Sequence, residues 1–378
     1  MVQRLEEFQQ TIFATMSAKA AQCDAVNLGQ GFPDEDGPAS MLQIAQREIA
    51  EGNNQYAPGP GMPVLRQAIA SHQRRYDLDV AESEVLVTVG ATEAITATIM
   101  GLVEPGQEVI LIEPYYDAYA AAVALAGATR VAVSLQAKGD TWELDPAAIE
   151  AAITPKTAMI VINNPHNPTG SVFSSETMCE ISRIACVHDL LVLSDEVYEH
   201  LLFDATRHRP TCTYPGMAQR TVTVSSAAKT FNATGWKTGW AIAPPPLLEA
   251  IAQAKQFLTF VGATPFQPAV AHALNHEQSW ADDLSRSLEK KRDKLSAALR
   301  KAGFRVHYSP GTYYLVADFA ALSNTTGMDF CMELVKDRGV AAIPLEVFCD
   351  HPEPWRSKIR FAFCKQDHVI DEAIRRLS

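Results

Sequence analysis

The sequence lacks an excess of positive charge, and it lacks any apolar run long enough to cross a membrane. Its 378 residues include 44 acidic side chains against 32 Lys and Arg, a formal net charge of −12. An overall field of this sign disfavours nucleic acid and anionic membrane as partners, although a few local cations still suit a small anion. The amino-terminal residues carry Glu6 and Glu7 and lack a long apolar run, so no signal peptide is expected.

Cysteine is scarce and scattered. The seven cysteines are odd in number, and no two of them have the CxxC spacing. This pattern excludes a disulfide framework and is typical of free thiols in a reducing cytoplasm, where we expect the protein to lie. His272 and His276 are four residues apart, but no third ligand or acidic motif accompanies them. We therefore expect no metal site.

Short apolar runs rich in β-branched residues alternate with helical stretches from residue 85 onward. They are Val85–Val89, Val109–Ile112, Arg130–Val133, Ala158–Ile162, Leu190–Leu193, Thr221–Val224 and Thr238–Ala243. Near-continuous hydrophobicity without alternation is typical of strands buried on both faces. The sequence therefore predicts an α/β fold with a mostly parallel seven-stranded sheet between helices.

The pattern changes near residue 275, which predicts a second, smaller α+β domain. A long charged helix is expected over about 278–302, followed by short strands and a last helix over 367–377. We assign 38–275 to a large domain and 276–378 to a small one, and residues 1–37 to the small domain. Helical apolar spacing also predicts helices over 4–22, 38–51 and 63–77.

The stretch Val222–Trp240 is the most informative part of the chain. It begins as a strand, passes through small residues and reaches Lys229, and a second lysine, Lys237, follows Gly235. A lysine just beyond a buried strand lies where open α/β sheets bind their ligands. Small neighbours leave room for a bulky group at its amine.

Four other predicted strands also end in distinctive residues. Gly90-Ala91-Thr92 opens a helix whose free N–H groups suit a phosphate. Tyr115-Tyr116 offers an aromatic ring for stacking, and Asn163–Gly170, with two Asn-Pro steps, offers a fixed amide. Asp195 follows a fully apolar strand, where an acid is costly to bury unless it is paired.

Together these residues supply what pyridoxal 5′-phosphate requires. Its aldehyde needs a lysine amine, and its ring nitrogen needs an acid that keeps it protonated as an electron sink. Its phosphate needs N–H and cationic donors. Lys229, Asp195 and the helix after Gly90 fill these needs.

The chain resembles the class I aminotransferases of the aspartate-aminotransferase fold, fold type I of the pyridoxal-phosphate enzymes. Within them it is most similar to the kynurenine aminotransferase and bacterial methionine aminotransferase branch. The resemblance runs from Asn27 to the carboxyl terminus. It rests on the segments QGFPD, NQYAPGPG, GATEA, NNPHNPTG, SDEVYEHL, SSAAKTFNATGWKTGW and IRFAF.

The resemblance implies how each residue would meet the cofactor. Lys229 would bond to the aldehyde carbon, and Asp195 would pair with the ring nitrogen. Tyr198 and Asn167 would hydrogen-bond the ring hydroxyl oxygen, and Tyr116 would stack on the ring. The residues that would hold the phosphate are Gly90, Ala91, Thr92, Ser226 and Lys237, together with Tyr56, which would reach the phosphate of the partner subunit.

The resemblance also implies the substrate contacts. Arg360 would bind the substrate α-carboxylate, helped by Asn167 and Gly31. Phe13 would line the pocket, and Phe260 would enter the substrate pocket of the neighbouring subunit. The enzyme is therefore expected to be a homodimer with shared active sites, in which Lys229, once displaced by the substrate amine, acts as general base.

The substrate is less well determined. No second arginine for a dicarboxylate is evident, and the aromatic candidates Phe13, Phe32, Tyr56 and Phe260 favour a neutral or aromatic amino acid of the methionine, glutamine, phenylalanine and kynurenine class, with a 2-oxo acid as acceptor. Val261 stands where some kynurenine-specific members carry His, which weakens that assignment. The alternatives are a cysteine-S-conjugate β-lyase and a succinyldiaminopimelate-type aminotransferase.

Overall fold

A computed structural model describes residues 2–8 and 11–378 of the chain. In chain order, its α-helices are α1 (Ile12–Gln22), α2 (Ala39–Ala50), α3 (Pro63–His72), α4 (Gly90–Leu102), α5 (Asp117–Leu125), α6 (Pro146–Ala151), α7 (Ser175–Val187), α8 (Ala227–Thr230), α9 (Pro245–Leu258), α10 (Gln267–His276), α11 (Gln278–Lys301), α12 (Gly327–Arg338) and α13 (Asp367–Leu377). Its strands are β1 (Val26–Asn27), β2 (Val85–Val89), β3 (Glu108–Glu113), β4 (Thr129–Ser134), β5 (Gln136–Lys138), β6 (Thr141–Glu143), β7 (Thr157–Asn163), β8 (Leu191–Asp195), β9 (Thr221–Ser226), β10 (Thr238–Ile242), β11 (Arg305–Val306), β12 (Tyr314–Asp318), β13 (Val340–Ala341), β14 (Ile343–Pro344) and β15 (Lys358–Ala362).

The seven predicted strands form one sheet in the order β2-β10-β9-β8-β7-β3-β4. All pairs are parallel except those of β10, which runs antiparallel to both β2 and β9. The predicted α/β class and mostly parallel seven-stranded sheet are thus confirmed. Because β10 runs the other way, its first residue lies at the edge where the parallel strands end.

The sheet is buried on both faces, as its continuous apolar runs predict. In β7, Ile160 and Ile162 pack into one hydrophobic core, whereas Met159 and Val161 pack into another on the opposite face. Helices α4, α5 and α9 contribute to the second core. The strands therefore hold a rigid edge at which loops can carry functional side chains.

A smaller antiparallel sheet has the order β11-β12-β15-β14 and lies in the carboxyl-terminal part. The amino-terminal segment joins this part, because β1 pairs in parallel with β13 through Val26 and Val340. The assignment of residues 1–37 to the small domain and the boundaries at 37 and 275 stay predictions. The structure contains, among residues 2–8 and 11–378, no helix with the length and apolarity of a membrane span.

The predicted helix over 4–22 is wrong at its start. Residues 3–5 form a 3₁₀ turn, and α1 begins only at Ile12 because Thr11 has extended backbone angles and caps the helix by accepting from the Ala14 N–H. Gln9 and Gln10, which the prediction also covered, lie outside the described residues. The predicted helix over 63–77 ends as an α-helix at His72 and continues as a 3₁₀ turn to Tyr76.

Candidate active site

One pocket opens at the carboxyl edge of the large sheet and reaches across to the small one. It brings together all but two of the predicted site residues. Those that line it are Phe13, Gly31, Gly90, Ala91, Thr92, Tyr116, Asn167, Asp195, Tyr198, Ser226, Lys229, Lys237 and Arg360. Tyr56 and Phe260 do not line it.

Lys229 lies in the short helix α8, directly after β9. Its Nζ lies 5.9 Å from the ring centroid of Tyr198 and 5.6 Å from that of Tyr313. Burial lowers the pKa of the Lys229 amine to about 8, because a charged ammonium is poorly solvated among aromatic rings. The amine is therefore available as a nucleophile and a base near neutral pH.

Asp195 ends β8 and is buried at 4 % exposure. The hydroxyl of Tyr119 donates to its Oδ2 at 2.6 Å, and the Val197 N–H donates to its Oδ1 at 3.2 Å. Burial raises the pKa of Asp195 to about 6, while these two donors and the nearby Lys229 amine oppose that shift. The carboxylate is thus ionised at neutral pH and has room for a cationic partner.

The asparagine loop is fixed to the same strand end. The Asn163 side chain donates to the Asp195 carbonyl at 2.9 Å and accepts from the Asn167 N–H at 2.6 Å. The Asn167 amide is then free to reach the other side of the pocket. The repeated asparagines of the sequence therefore connect two neighbouring strand ends.

The first turn of α4 and Lys237 form a cationic cradle. Gly90 has φ +72°, and a Cβ on it would lie 3.1 Å from the Lys237 Nζ. Lys237 itself has a left-handed backbone, φ +49°, just before β10, and Thr238 pairs with Val89. An ammonium and the free N–H groups of a helix start lie side by side here, a combination that suits a phosphate.

Arg360 comes from β15, in the middle of the small sheet, and is 2 % exposed. Its Nη1 donates to the Asn167 Oδ1 at 3.1 Å and its Nη2 to the Gly29 carbonyl at 3.2 Å, while its Nε has no partner among residues 2–8 and 11–378. Its guanidinium carbon lies 4.0 Å from the ring centroid of Tyr314. A buried guanidinium with an unused donor suits a carboxylate ligand.

Position 31 requires glycine because the Tyr314 side chain lies close against its backbone. A Cβ at Gly31 would lie 2.0 Å from the Tyr314 hydroxyl oxygen, and the Gly31 carbonyl accepts from the Tyr313 hydroxyl at 2.6 Å. Any larger residue would push Tyr314 away from Arg360. Phe13 and Phe32 complete this end of the pocket.

Tyr56 and Phe260 lie on the surface instead. They are 81 % and 46 % exposed, and their rings pack edge to face with centroids 5.4 Å apart. Phe257, in the last turn of α9, is 85 % exposed. Within this chain the two predicted residues form an exposed aromatic patch, the Tyr56–Phe260 patch.

Sequence reasoning missed several lining residues, among them Gln30, Asn163 and Tyr314. Tyr314 is the first residue of β12, and its place beside Arg360 depends on the antiparallel pairing of β12 with β15. That pairing has no signal in a single sequence. Tyr119, which bonds Asp195, was missed because it looks like an ordinary core tyrosine of an alanine-rich helix.

A second titratable cluster lies outside the pocket. His72 Nε2 and His200 Nε2 are 3.0 Å apart, and Glu199 is adjacent to them. Arg75 Nη1 lies 2.9 Å from His200 Nδ1 and 3.4 Å from His72 Nε2. A hydrogen-bonded network of neutral histidines accounts for this cluster, because a guanidinium at this distance opposes a metal cation.

Comparisons with known proteins agree with this geometry. The family described as "Aminotransferase class I and II" matches residues 24–377. A probable N-succinyldiaminopimelate aminotransferase of Mycobacterium tuberculosis is 53 % identical over 388 residues, covering 100 % of this chain and 98 % of that protein. A solved structure of the N-succinyldiaminopimelate aminotransferase from Mycobacterium tuberculosis superposes with a TM-score of 0.98 at 54 % identity, covering 100 % of this chain and 99 % of that one.

Two further relatives are more distant. Methionine aminotransferase of Escherichia coli is 39 % identical, covering 99 % of this chain and 97 % of that protein. Human kynurenine–oxoglutarate transaminase 3 is 34 % identical, covering 98 % of this chain and 88 % of that protein. The predicted resemblance to the methionine and kynurenine aminotransferase branch is confirmed.

Proposed function

The chain belongs to the class I and II aminotransferase family, and we propose that it takes the amino group from an amino acid whose side chain is uncharged near the α-carbon. The enzyme is an aminotransferase that acts on amino acids and 2-oxo acids and uses pyridoxal 5′-phosphate. The proposal concerns which substrate it takes, what each residue does and how the subunits assemble.

The residues of the pocket fit the cofactor. A partly buried amine, a buried acid and a cationic helix start lie around one space, at Lys229, Asp195 and Gly90. When bound, pyridoxal 5′-phosphate supplies an aldehyde and an electron-withdrawing ring. Lys237 and the first turn of α4 would hold its phosphate, and Asp195 would present a negative charge to its ring nitrogen.

The chain's own residues would then move one proton and hold one carboxylate. Lys229, displaced by the substrate amine, would take the α-proton of the substrate at its Nζ. It would then give that proton back at a later stage of the amino-group transfer. Arg360 would hold the substrate α-carboxylate with paired N–H donors, and Asn167 would keep the guanidinium in place. Tyr198 would donate its hydroxyl, which burial keeps protonated by raising its pKa well above the usual value.

A single observation supports the substrate proposal. Among the residues that the structure describes, Arg360 is the one arginine in the pocket lining, and Phe13 and Phe32 lie at the same end. A side-chain carboxylate close to the α-carbon would have no guanidinium of this chain to pair with. Methionine, glutamine, phenylalanine and kynurenine all meet this condition.

The 53 % relative favours a second candidate substrate, N-succinyldiaminopimelate. The part of that molecule next to its reacting carbon is an apolar chain, which Phe13 and Phe32 suit, but its far end carries carboxylates. A neighbouring cavity shares Tyr116 with the pocket and contains Arg130, whose guanidinium is already held by Glu7 at 2.7 Å and by Asp350 at 2.9 Å. A distal carboxylate would have to displace Glu7 to bind there.

A donor panel tests the substrate proposal. Purified enzyme with pyridoxal 5′-phosphate is mixed with methionine, glutamine, phenylalanine, kynurenine, aspartate or N-succinyldiaminopimelate, and the absorbance of the bound cofactor is followed. We expect rapid change with one or more neutral donors and little with aspartate. Rapid change with aspartate alone would overturn the proposal, and a strong preference for N-succinyldiaminopimelate would select the second candidate.

A second assay on the same mixtures separates transamination from β-lyase activity. Transamination needs a 2-oxo acid acceptor for repeated turnover, whereas elimination from a cysteine S-conjugate releases pyruvate and ammonia without one. We expect turnover to depend on the acceptor. Acceptor-independent pyruvate release as the main reaction would make the lyase the principal activity.

We also propose a homodimer in which the Tyr56–Phe260 patch of each subunit completes the pocket of the other. The patch supports this, because exposed aromatic clusters of this kind mark interaction surfaces. Mixing a Lys229→Ala variant with a Phe260→Ala variant should yield some dimers with one intact site. Activity of the mixture toward methionine above the sum of the two parents is the expected result, and a monomeric mass in solution would contradict it.

A further inference from the structure

Two tyrosines three residues apart lie in one turn of helix, and the first of them, Tyr116, lines the candidate cofactor space. Tyr116 is the N-cap of α5, and Tyr119 lies in its first turn. Side chains spaced by three on a helix lie on the same face. Their rings pack edge to face, with centroids 5.7 Å apart at 87°.

The Tyr119 hydroxyl makes a short bond to the acid of the site. It donates to the Asp195 Oδ2 at 2.6 Å, and both residues are buried, at 3 % and 4 % exposure. Burial raises the pKa of Tyr119 well above its usual value, so the hydroxyl stays a donor across the working pH range. A short bond from a neutral donor to a buried carboxylate is of the strong, charge-assisted kind.

The second oxygen of Asp195 is held less tightly. The Val197 N–H donates to its Oδ1 at 3.2 Å, which is a longer contact. The plane of the carboxylate is thus set by one backbone donor from its own turn and one hydroxyl from α5. Without the hydroxyl, the carboxylate could rotate about its last torsion, since such torsions are broad.

We propose that Tyr119 is a positioning residue for the cofactor, which aims the Asp195 carboxylate at the ring nitrogen and ties the turn that carries Tyr116 to the end of β8. The inference rests on the roles proposed above for Asp195 and Tyr116. It adds a residue that touches neither the ring nor the substrate. Its contribution is exerted through Asp195.

The test compares two tyrosines that each donate to a carboxylate. Tyr119→Phe removes the bond to Asp195, and Tyr115→Phe removes a matched bond, from the Tyr115 hydroxyl to Asp350 at 3.0 Å, outside the pocket. The apoenzyme is titrated with pyridoxal 5′-phosphate, and tryptophan fluorescence gives the dissociation constant. We expect an increase of about tenfold for Tyr119→Phe and less than about twofold for Tyr115→Phe.

A double-mutant cycle separates positioning from packing. In an Asp195→Asn background, Tyr119→Phe should change the dissociation constant by less than about threefold, because the charged acceptor is already gone. A full tenfold effect in that background would show that Tyr119 acts through packing and would overturn the inference. An unchanged constant for Tyr119→Phe in the wild-type background would overturn it as well.

A spectroscopic measurement tests the hydrogen bond between Tyr119 and Asp195 without replacing Tyr119 by Phe. With 3-fluorotyrosine placed at position 119, the ¹⁹F resonance should move when Asp195 is changed to Asn, and an unmoved resonance would contradict the bond. Failure of the inference is distinguishable from failure of the proposed function. If wild-type enzyme binds no pyridoxal 5′-phosphate and borohydride fixes none on Lys229, the proposed function fails first.

Discussion

The two ends of the pocket differ in how fully one chain builds them. At the cofactor end, Asp195 and Tyr198 are buried and Lys229 is partly buried, and all three lie at or directly after the ends of strands β8 and β9. At the substrate end, Phe13 is partly buried and Phe32 is exposed, and Tyr56 and Phe260 do not line the pocket of their own chain. The residues proposed for the chemistry thus lie within one subunit, whereas in the proposed dimer selectivity for side chains would depend on aromatic rings that each subunit presents to the other.

Removing the amine at the cofactor end should have the largest effect. Lys229→Ala is expected to lower kcat about 10⁴-fold or more, because both the nucleophile and the general base are lost. Steady-state assays with methionine and a 2-oxo acid measure this, and Lys336→Ala, which changes an exposed lysine of α12, should leave kcat unchanged. Near-native turnover of Lys229→Ala would show that Lys229 is neither the nucleophile nor the base, and the cofactor end would then not be where the chemistry occurs.

The second-largest effect is expected in the pH dependence of the reactivity of Lys229 at the cofactor end. Because burial lowers its pKa to about 8, the amine of the apoenzyme is protonated below that pH and reactive above it. At pH 7.5 about a quarter of it would be neutral, against about one in a thousand for a lysine with the usual pKa. Labelling with trinitrobenzenesulfonate, followed by peptide mass spectrometry, should give a midpoint near pH 8 for Lys229. A midpoint near that of free lysine in solution would contradict the lowered pKa.

Arg360 joins the two ends, so its variant should have an intermediate effect. Arg360→Lys keeps the charge but loses the paired N–H geometry and the bond to Asn167, and we expect kcat/KM for methionine to fall about 100-fold. Most of the loss should be in KM, with cofactor affinity within about twofold of wild type. Arg356→Lys, at an exposed position of the same region, is the matched control. A loss of cofactor affinity without a rise in KM would show that Arg360 acts at the cofactor end of the pocket, not on the substrate.

The smallest effect is expected at the substrate end. Phe260→Ala should lower kcat/KM about tenfold with phenylalanine or methionine as the amino donor. With alanine as the donor, kcat/KM should stay within about twofold of wild type, because only a bulky side chain would reach the Phe260 ring. Phe257→Ala, which changes a more exposed phenylalanine in α9, should leave the ratio of kcat/KM for phenylalanine to kcat/KM for alanine unchanged. Equal losses for all donors would mean that Phe260 supports the fold or the assembly, not selectivity.

The cofactor end was largely predictable from the sequence because its residues follow buried strands. Lys229 and Asp195 each come shortly after a predicted strand, Thr221–Val224 and Leu190–Leu193, so their common edge follows from a parallel sheet. Lys237 was named on its motif, but its place beside Gly90 depends on β10 running antiparallel. A strand's direction is not encoded in its own composition.

The substrate end was harder to predict because it is assembled from distant segments. Tyr314 reaches the pocket through the pairing of β12 with β15, and Gln30 through the bonds of its side-chain amide to Phe13 and Ser17 in α1. Apolar periodicity placed the start of the first helix too early, since the Thr11 cap outweighs the spacing of Leu5 and Phe8. Local pattern thus specifies elements, whereas contacts between them need the fold.

The reversed direction of β10 has a consequence for engineering the enzyme. Residues 227–237 leave the sheet at the end of β9 and return to it at the start of β10, so one short excursion of chain delivers both lysines of the cofactor end. The distance between the two amines is therefore set by the length of a loop. Lengthening that loop would move Lys229, proposed to bond the cofactor, away from Lys237, proposed to bind its phosphate. Transplanting the whole segment would transfer both lysines to another scaffold.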